Sequence, residues 1–114
     1  MTGRPGRVRG RRTFAALVAS PRKSRSGPVT VHFVPPDGGR NEVLVAYAIG
    51  RRVGGAVVRN RWRRRLRAIA AEISPELAFG TYLIGLGRGA AGIGFDELRG
   101  RVSETMRRAS GEPL

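Results

Sequence analysis

The chain has 114 residues, with 22 basic against eight acidic side chains and a formal net charge of +14. That length fits one domain with a modest core, and the charge points to a polyanionic partner. The absence of cysteine excludes disulfides and thiolate metal sites and fits a cytoplasmic protein; no apolar run approaches the roughly 20 residues that span a bilayer, and no secretory signal opens the chain.

The charge is unevenly placed. Residues 1–36 hold eight basic residues and no acid, residues 51–67 hold eight more and again no acid, and residues 68–114 hold five basic and six acidic residues. The polyanion is therefore expected along the first two regions.

Residues 1–12 are rich in Gly, Arg and Pro. Such a segment buries too little apolar surface to offset its ordering entropy, so a disordered basic arm is expected there. A single RNA-binding domain is expected over 13–110, with 111–114 as a tail. Thr13 is a candidate cap for a short helix to Ala19, with Phe14, Leu17 and Val18 on one face, and Ser20-Pro21 stops it. Pro21 to Pro28 reads as a loop carrying Arg22, Lys23 and Arg25. Val29 to Val34 has strand composition, with Val29, Val31 and Phe33 on one face and Thr30, His32 and Val34 on the other. After the turn residues Pro35-Pro36-Asp37-Gly38-Gly39, the mostly apolar stretch Glu42 to Ile49 reads as a second strand. The two strands are expected to pair as an antiparallel hairpin.

Glycines 50, 54 and 55 bracket the connection to a long helix that Pro75 ends. A third strand follows at Thr81 to Leu86, then a flexible loop over Gly87 to Gly94. Asp96 is a candidate cap for a last helix in which Leu98, Val102 and Met106 recur every four residues. The expected fold is α/β: a small two-layer sandwich in the order α-β-β-α-β-α. The helices lie on one face of the sheet, and a crossover is made by the long helix.

Catalytic constellations are missing. There is one histidine, His32, with no evident orienting partner, and the one adjacent carboxylate pair, Asp96-Glu97, sits where acids favour a helix dipole. Gly87-Arg88-Gly89-Ala90-Ala91-Gly92 matches Gly-x-Gly-x-x-Gly after a strand, but no further βαβ unit follows, so the dinucleotide reading fails its own context test.

The long helix carries the strongest signal. Val57 to Arg67 contains six arginines in eleven residues. At about 100° per residue, Val58, Trp62, Leu66, Ile69 and Ile73 share one stripe. Arg59, Arg63 and Arg67 border it on one side and Arg61 and Arg65 on the other, while Asn60 and Arg64 point away. No acid is interleaved to relieve the repulsion. A strand, not a helix and turn, precedes it, which argues against helix-turn-helix DNA binding.

The sequence Arg51-Arg52-Val53-Gly54-Gly55-Ala56-Val57-Val58-Arg59-Asn60-Arg61-Trp62-Arg63-Arg64-Arg65-Leu66-Arg67 resembles the signature of the bacterial ribonuclease P protein component. Two basic residues, an aliphatic residue with glycine, Ala-Val, Arg-Asn-Arg and a basic helix ending near Leu-Arg all match. The resemblance implies a sandwich with a left-handed crossover, similar to domain 2 of ribosomal protein S5. It also implies a role as the protein subunit of an endoribonuclease ribonucleoprotein that removes the 5′ leader of precursor tRNA. RNA and Mg2+, held mainly by that RNA, would carry the hydrolysis. Arg51, Arg52, Arg59, Asn60, Arg61, Arg63, Arg64 and Arg67 would contact the RNA subunit, in a one-to-one complex. Phe14, Val18 and His32 would line the leader cleft. Val18 and His32 stand where the family often has aromatics, Gly50 replaces a usual Ser, and Gly55 fills a spacer usually polar. The alternative reading is a ribosomal or other structural RNA-binding protein with no processing role.

Overall fold

The computed structural model describes residues 6–7, 11–36, 38 and 41–111. Five strands form one sheet: β1 (Gly6–Arg7), β2 (Lys23–Ser26), β3 (Val29–Val34), β4 (Val43–Ile49) and β5 (Gly80–Leu86), in the spatial order β1-β4-β5-β3-β2. The helices are α1 (Arg11–Ala19), α2 (Ala56–Ile73) and α3 (Phe95–Ser110). Short 3-10 turns at Arg51–Val53 and Ser74–Glu76 flank α2. The α/β class and the order of the long elements are as expected; β1 and β2 are additions. Of the expected basic arm, Gly6–Arg7 pair in parallel with β4 and Arg11 and Arg12 open α1; the rest lies outside the described residues. Thr13 is therefore inside α1 and not its cap.

The expected hairpin between β3 and β4 does not form. β5 lies between them, antiparallel to β3 from Val29↔Leu86 to Val34↔Thr81 and parallel to β4 from Val43↔Gly80 to Ile49↔Leu86. Burial explains the choice. Tyr82, Leu83, Ile84 and Leu86 are all buried, so β5 is apolar on both faces and takes the centre, whereas β4 buries only Val45 and Ile49. Parallel pairing of β4 and β5 needs a crossover, which α2 supplies. β3 finds its hairpin partner in β2, across a turn in which Gly27 adopts φ +61° ahead of Pro28. The expected loop from Pro21 to Pro28 thus contains a strand.

α2 and α3 cover one face of the sheet. Val29, Val31 and Phe33 of β3 and Tyr82, Ile84 and Leu86 of β5 meet the α2 stripe Trp62, Leu66, Ile69 and Ile73 and the α3 row Leu98, Val102 and Met106 in one core. Both helical periodicities therefore hold. α1 does not join them: it lies over β3 and β5 on the opposite face, where Leu17 and Leu83 are buried apart from the main core. The helices thus occupy both faces and not one. Asp96 does not cap α3; Gly94 occupies that position, and Asp96 and Glu97 fall in the first turn, favourable to the helix dipole. At the other end Gly111 turns left-handed at φ +83° and its N–H caps Arg107 and Arg108 carbonyls. The Arg22 guanidinium donates to the Ser110 carbonyl and lies 4.8 Å over the Phe33 ring, tying the end of α3 to the chain entering β2.

Gly80 opens β5 at φ +146°, and a Cβ there would sit 2.4 Å from the Phe33 ring and 2.8 Å from the Val34 carbonyl. The ring cannot give way freely because Tyr82 packs against it at 4.9 Å between centroids. Gly80→Ala is expected to destabilise by about 1–3 kcal/mol, read as a lower urea midpoint at unchanged slope. An unchanged midpoint would show that Phe33 has room to move.

Candidate RNA interface

α2 begins at a backbone arrangement that only a small residue permits. Gly54 has φ +158°, and a Cβ on it would meet the Val58 side chain at 2.7 Å. The 3-10 turn Arg51–Val53 therefore runs directly into the helix, and the Gly50 N–H bonds the Leu86 carbonyl at 3.0 Å, pinning Arg51 and Arg52 at the end of the central strands. Val53 and Val58 pack against the core. The helix thus buries its apolar stripe and leaves its cations outside.

Arg51, Arg52, Arg61, Arg64 and Arg67 are exposed, and Arg59, Arg63 and Arg65 are half-buried. Among the described residues none of these eight forms an ion pair. On α3 the opposite holds. Arg99 pairs with Glu72 at 2.7 Å, Arg101 with Glu97 at 2.9 Å, Arg107 with Glu76 at 3.1 Å and Arg108 with Glu104 at 2.9 Å. Exposed pairs of this kind add little stability. Their consequence is to neutralise α3 while the arginines of α2 and its leading turn keep their charge uncompensated among the described residues.

Details within α2 sharpen this surface. Arg63 Nη1 donates to Asn60 Oδ1 at 2.9 Å, so exposed Asn60 steadies an arginine and keeps its amide nitrogen as a donor with no partner among the described residues. Arg59 Nε is out of reach of solvent and has no hydrogen-bond partner among the described residues. Arg65, not among the expected RNA contacts, lies 5.0 Å over the Trp62 ring. Arg67 lies 5.9 Å over the Tyr47 ring; burial pushes the Tyr47 hydroxyl up to about 12, with Arg67 opposing the shift.

The face carrying α1 forms a second surface. Phe14 and Val18 are exposed, at 43% and 53%, on either side of buried Leu17. His32 is half-buried on the same face of the sheet as Leu83, its cross-strand neighbour. Burial, and next the positive charge of Lys23, hold the imidazole below its ordinary value, which favours the neutral ring. The structure therefore gathers the expected contacts into two groups: the arginines and Asn60 around α2, and Phe14, Val18 and His32 on the opposite face. The cations of β2 went unassigned in the sequence; the alternation Lys23-Ser24-Arg25-Ser26 was the available signal.

Among the described residues no group of three or more His, Cys, Asp or Glu side chains is placed to hold a metal ion. No helix among them is long and apolar enough to cross a membrane.

A small α/β sandwich with one neutralised helix and one unpaired arginine helix defines a basic RNA-binding domain. The Ribonuclease P family model matches residues 3–110, and the chain belongs to that family, as a protein subunit of a ribonucleoprotein endoribonuclease. The chain is 36% identical over 104 residues to the ribonuclease P protein component of Symbiobacterium thermophilum, covering 90% of each. It is 32% identical over 111 residues to that of Gluconacetobacter diazotrophicus, covering 96% of this chain and 95% of the other. The fold matches the ribonuclease P protein of Thermotoga maritima with a TM-score of 0.79 at 19% identity, over 90% of this chain and 96% of that one. The reading as a ribosomal or other structural RNA-binding protein is not favoured.

Proposed function

We propose that α2 and the turn before it dock onto the catalytic RNA of ribonuclease P, and that the α1 face of the sheet holds the 5′ leader of precursor tRNA. The observation that carries the first half is the sorting of charge: every α3 arginine has a carboxylate partner, and the arginines of α2 and its leading turn have none among the described residues. A bound phosphate backbone relieves their mutual repulsion and releases counterions. Arg51, Arg52, Arg59, Arg61, Arg63, Arg64 and Arg67 act as phosphate contacts, with the Asn60 amide reaching a sugar or base edge. The leader half rests on Phe14 and His32, flat rings suited to stacking on unpaired bases, beside the apolar edge of Val18.

In this reading the chain orients and binds. Mg2+ held by the RNA subunit supplies the activated water and stabilises charge on the scissile phosphate. The complex is one protein to one RNA, working in the bacterial cytoplasm. The test is reconstitution: with the cognate RNA at low magnesium, adding the chain should accelerate removal of the leader from precursor tRNA. Absence of stimulation overturns the reading.

A further inference from the structure

The cations of β2 are used by neither surface above. Cross-strand partners share a face, so Lys23 opposite His32 and Arg25 opposite Thr30 both belong to the α1 face. Ser24 and Ser26 turn the other way, and Ser26 Oγ accepts from Arg101 Nη1 at 3.0 Å beneath α3. Lys23 and Arg25 are exposed, and neither forms an ion pair among the described residues. Arg25 Nε donates to the Gly27 carbonyl at 3.1 Å, which fixes the guanidinium beside the hairpin turn; the Lys23 ammonium has no such tether among the described residues. Lys23 is also the chain's one lysine among 22 basic residues.

β2 is the last strand of the sheet, so these side chains border the face along one edge. The floor inside that border is shallow. Ala46 and Ala48 of β4 and Gly85 of β5 share the face with Thr30 and Leu83, and a Cβ on Gly85 would strike the Thr30 hydroxyl at 2.8 Å. Thr30 and His32 of β3 lie between that border and the small side chains, and a shallow strip beside a cationic edge suits an extended single strand, with bases over the strip and phosphates at the edge. Alternate residues on a strand are about 6.5–7 Å apart, close to one nucleotide step of an extended chain.

We propose that Lys23 and Arg25 form a cationic rim that holds successive backbone phosphates of the single-stranded RNA crossing the α1 face. This rests on the leader reading above. The rim binds without regard to base.

The test compares a precursor tRNA with the same tRNA lacking its leader, bound to the reconstituted ribonucleoprotein over a range of salt. In the Lys23→Gln/Arg25→Gln variant, leader-dependent affinity should fall several-fold, and the log–log salt slope for the leadered substrate should drop by about 1.4, roughly 0.7 per single-strand phosphate contact. Binding of the leaderless tRNA and of the RNA subunit should stay the same, and Lys23→Arg should retain the leader effect. A variant with wild-type leader dependence overturns the rim. So does an equal loss for both substrates, which places the cations against the tRNA body or the RNA subunit. If the wild-type complex itself fails to distinguish the two substrates, the leader reading falls, and the rim with it.

Discussion

Trp62→Ala should lower the stability of the domain by about 3–5 kcal/mol, read as a large fall in the urea midpoint. Trp62 is only 6% exposed and stands mid-stripe on α2, between Val58 and Leu66. Its removal leaves a cavity that strands β4 and β5 cannot close without moving, because their register is fixed along seven paired positions. A chain of this size has on the order of 5–15 kcal/mol in total, so the loss approaches the whole. Arg65→Ala separates the ring from its cover: the half-buried guanidinium 5.0 Å away contributes about 0.5–2 kcal/mol, and its loss should fall in that range. RNA affinity of the Trp62 variant should fail only through unfolding and recover when an osmolyte restores the fold. A Trp62→Ala midpoint close to wild type would mean that the seam of α2 is not where the core is held.

The periodic elements were legible in the sequence because one buried face leaves a regular trace. The α2 stripe, the α3 row Leu98, Val102 and Met106, and the alternation Val29, Val31, Phe33 all stand in the core as spacing required. Pairing was not legible. A run such as Val43–Ile49 records that a strand is apolar, not which strand lies beside it, and the short-range preference for a hairpin after Pro35-Pro36 lost to the burial of β5 on both faces. β2 was missed because Lys23-Ser24-Arg25-Ser26 has no apolar residue; β3 on one side and Ser26–Arg101 contact below hold it as a strand. The side of the sheet taken by α1 was equally invisible, since Leu17 alone marks it. At the interface, arginine density was visible from composition. The contrast between paired and unpaired arginines was visible only in part: Glu97 and Glu104 stand four positions before Arg101 and Arg108, but Glu72 and Glu76 lie 27 and 31 positions from Arg99 and Arg107.

Replacing Arg59, Arg61 and Arg64 together by alanine should cut affinity for the catalytic RNA about a hundredfold at physiological salt and lower the log–log slope by roughly 2–3. Arg61 and Arg64 are exposed and lack ion pairs among the described residues, so nothing in the fold depends on their charge. Arg59 differs: its Nε is buried with no partner among the described residues, and an unsatisfied buried donor costs about 1–3 kcal/mol. Alanine also has the highest helix propensity. Arg59→Ala alone should therefore leave stability equal or higher while RNA binding weakens, two effects of opposite sign from one side chain. Arg59→Lys keeps a charge but loses the planar fork, and should restore most of the salt slope without the full affinity. Titration against salt and urea melting of the same proteins decide the matter. An unchanged slope in the triple variant would leave these arginines as a solvated face. A loss of stability in Arg59→Ala would make that side chain packing, not recognition.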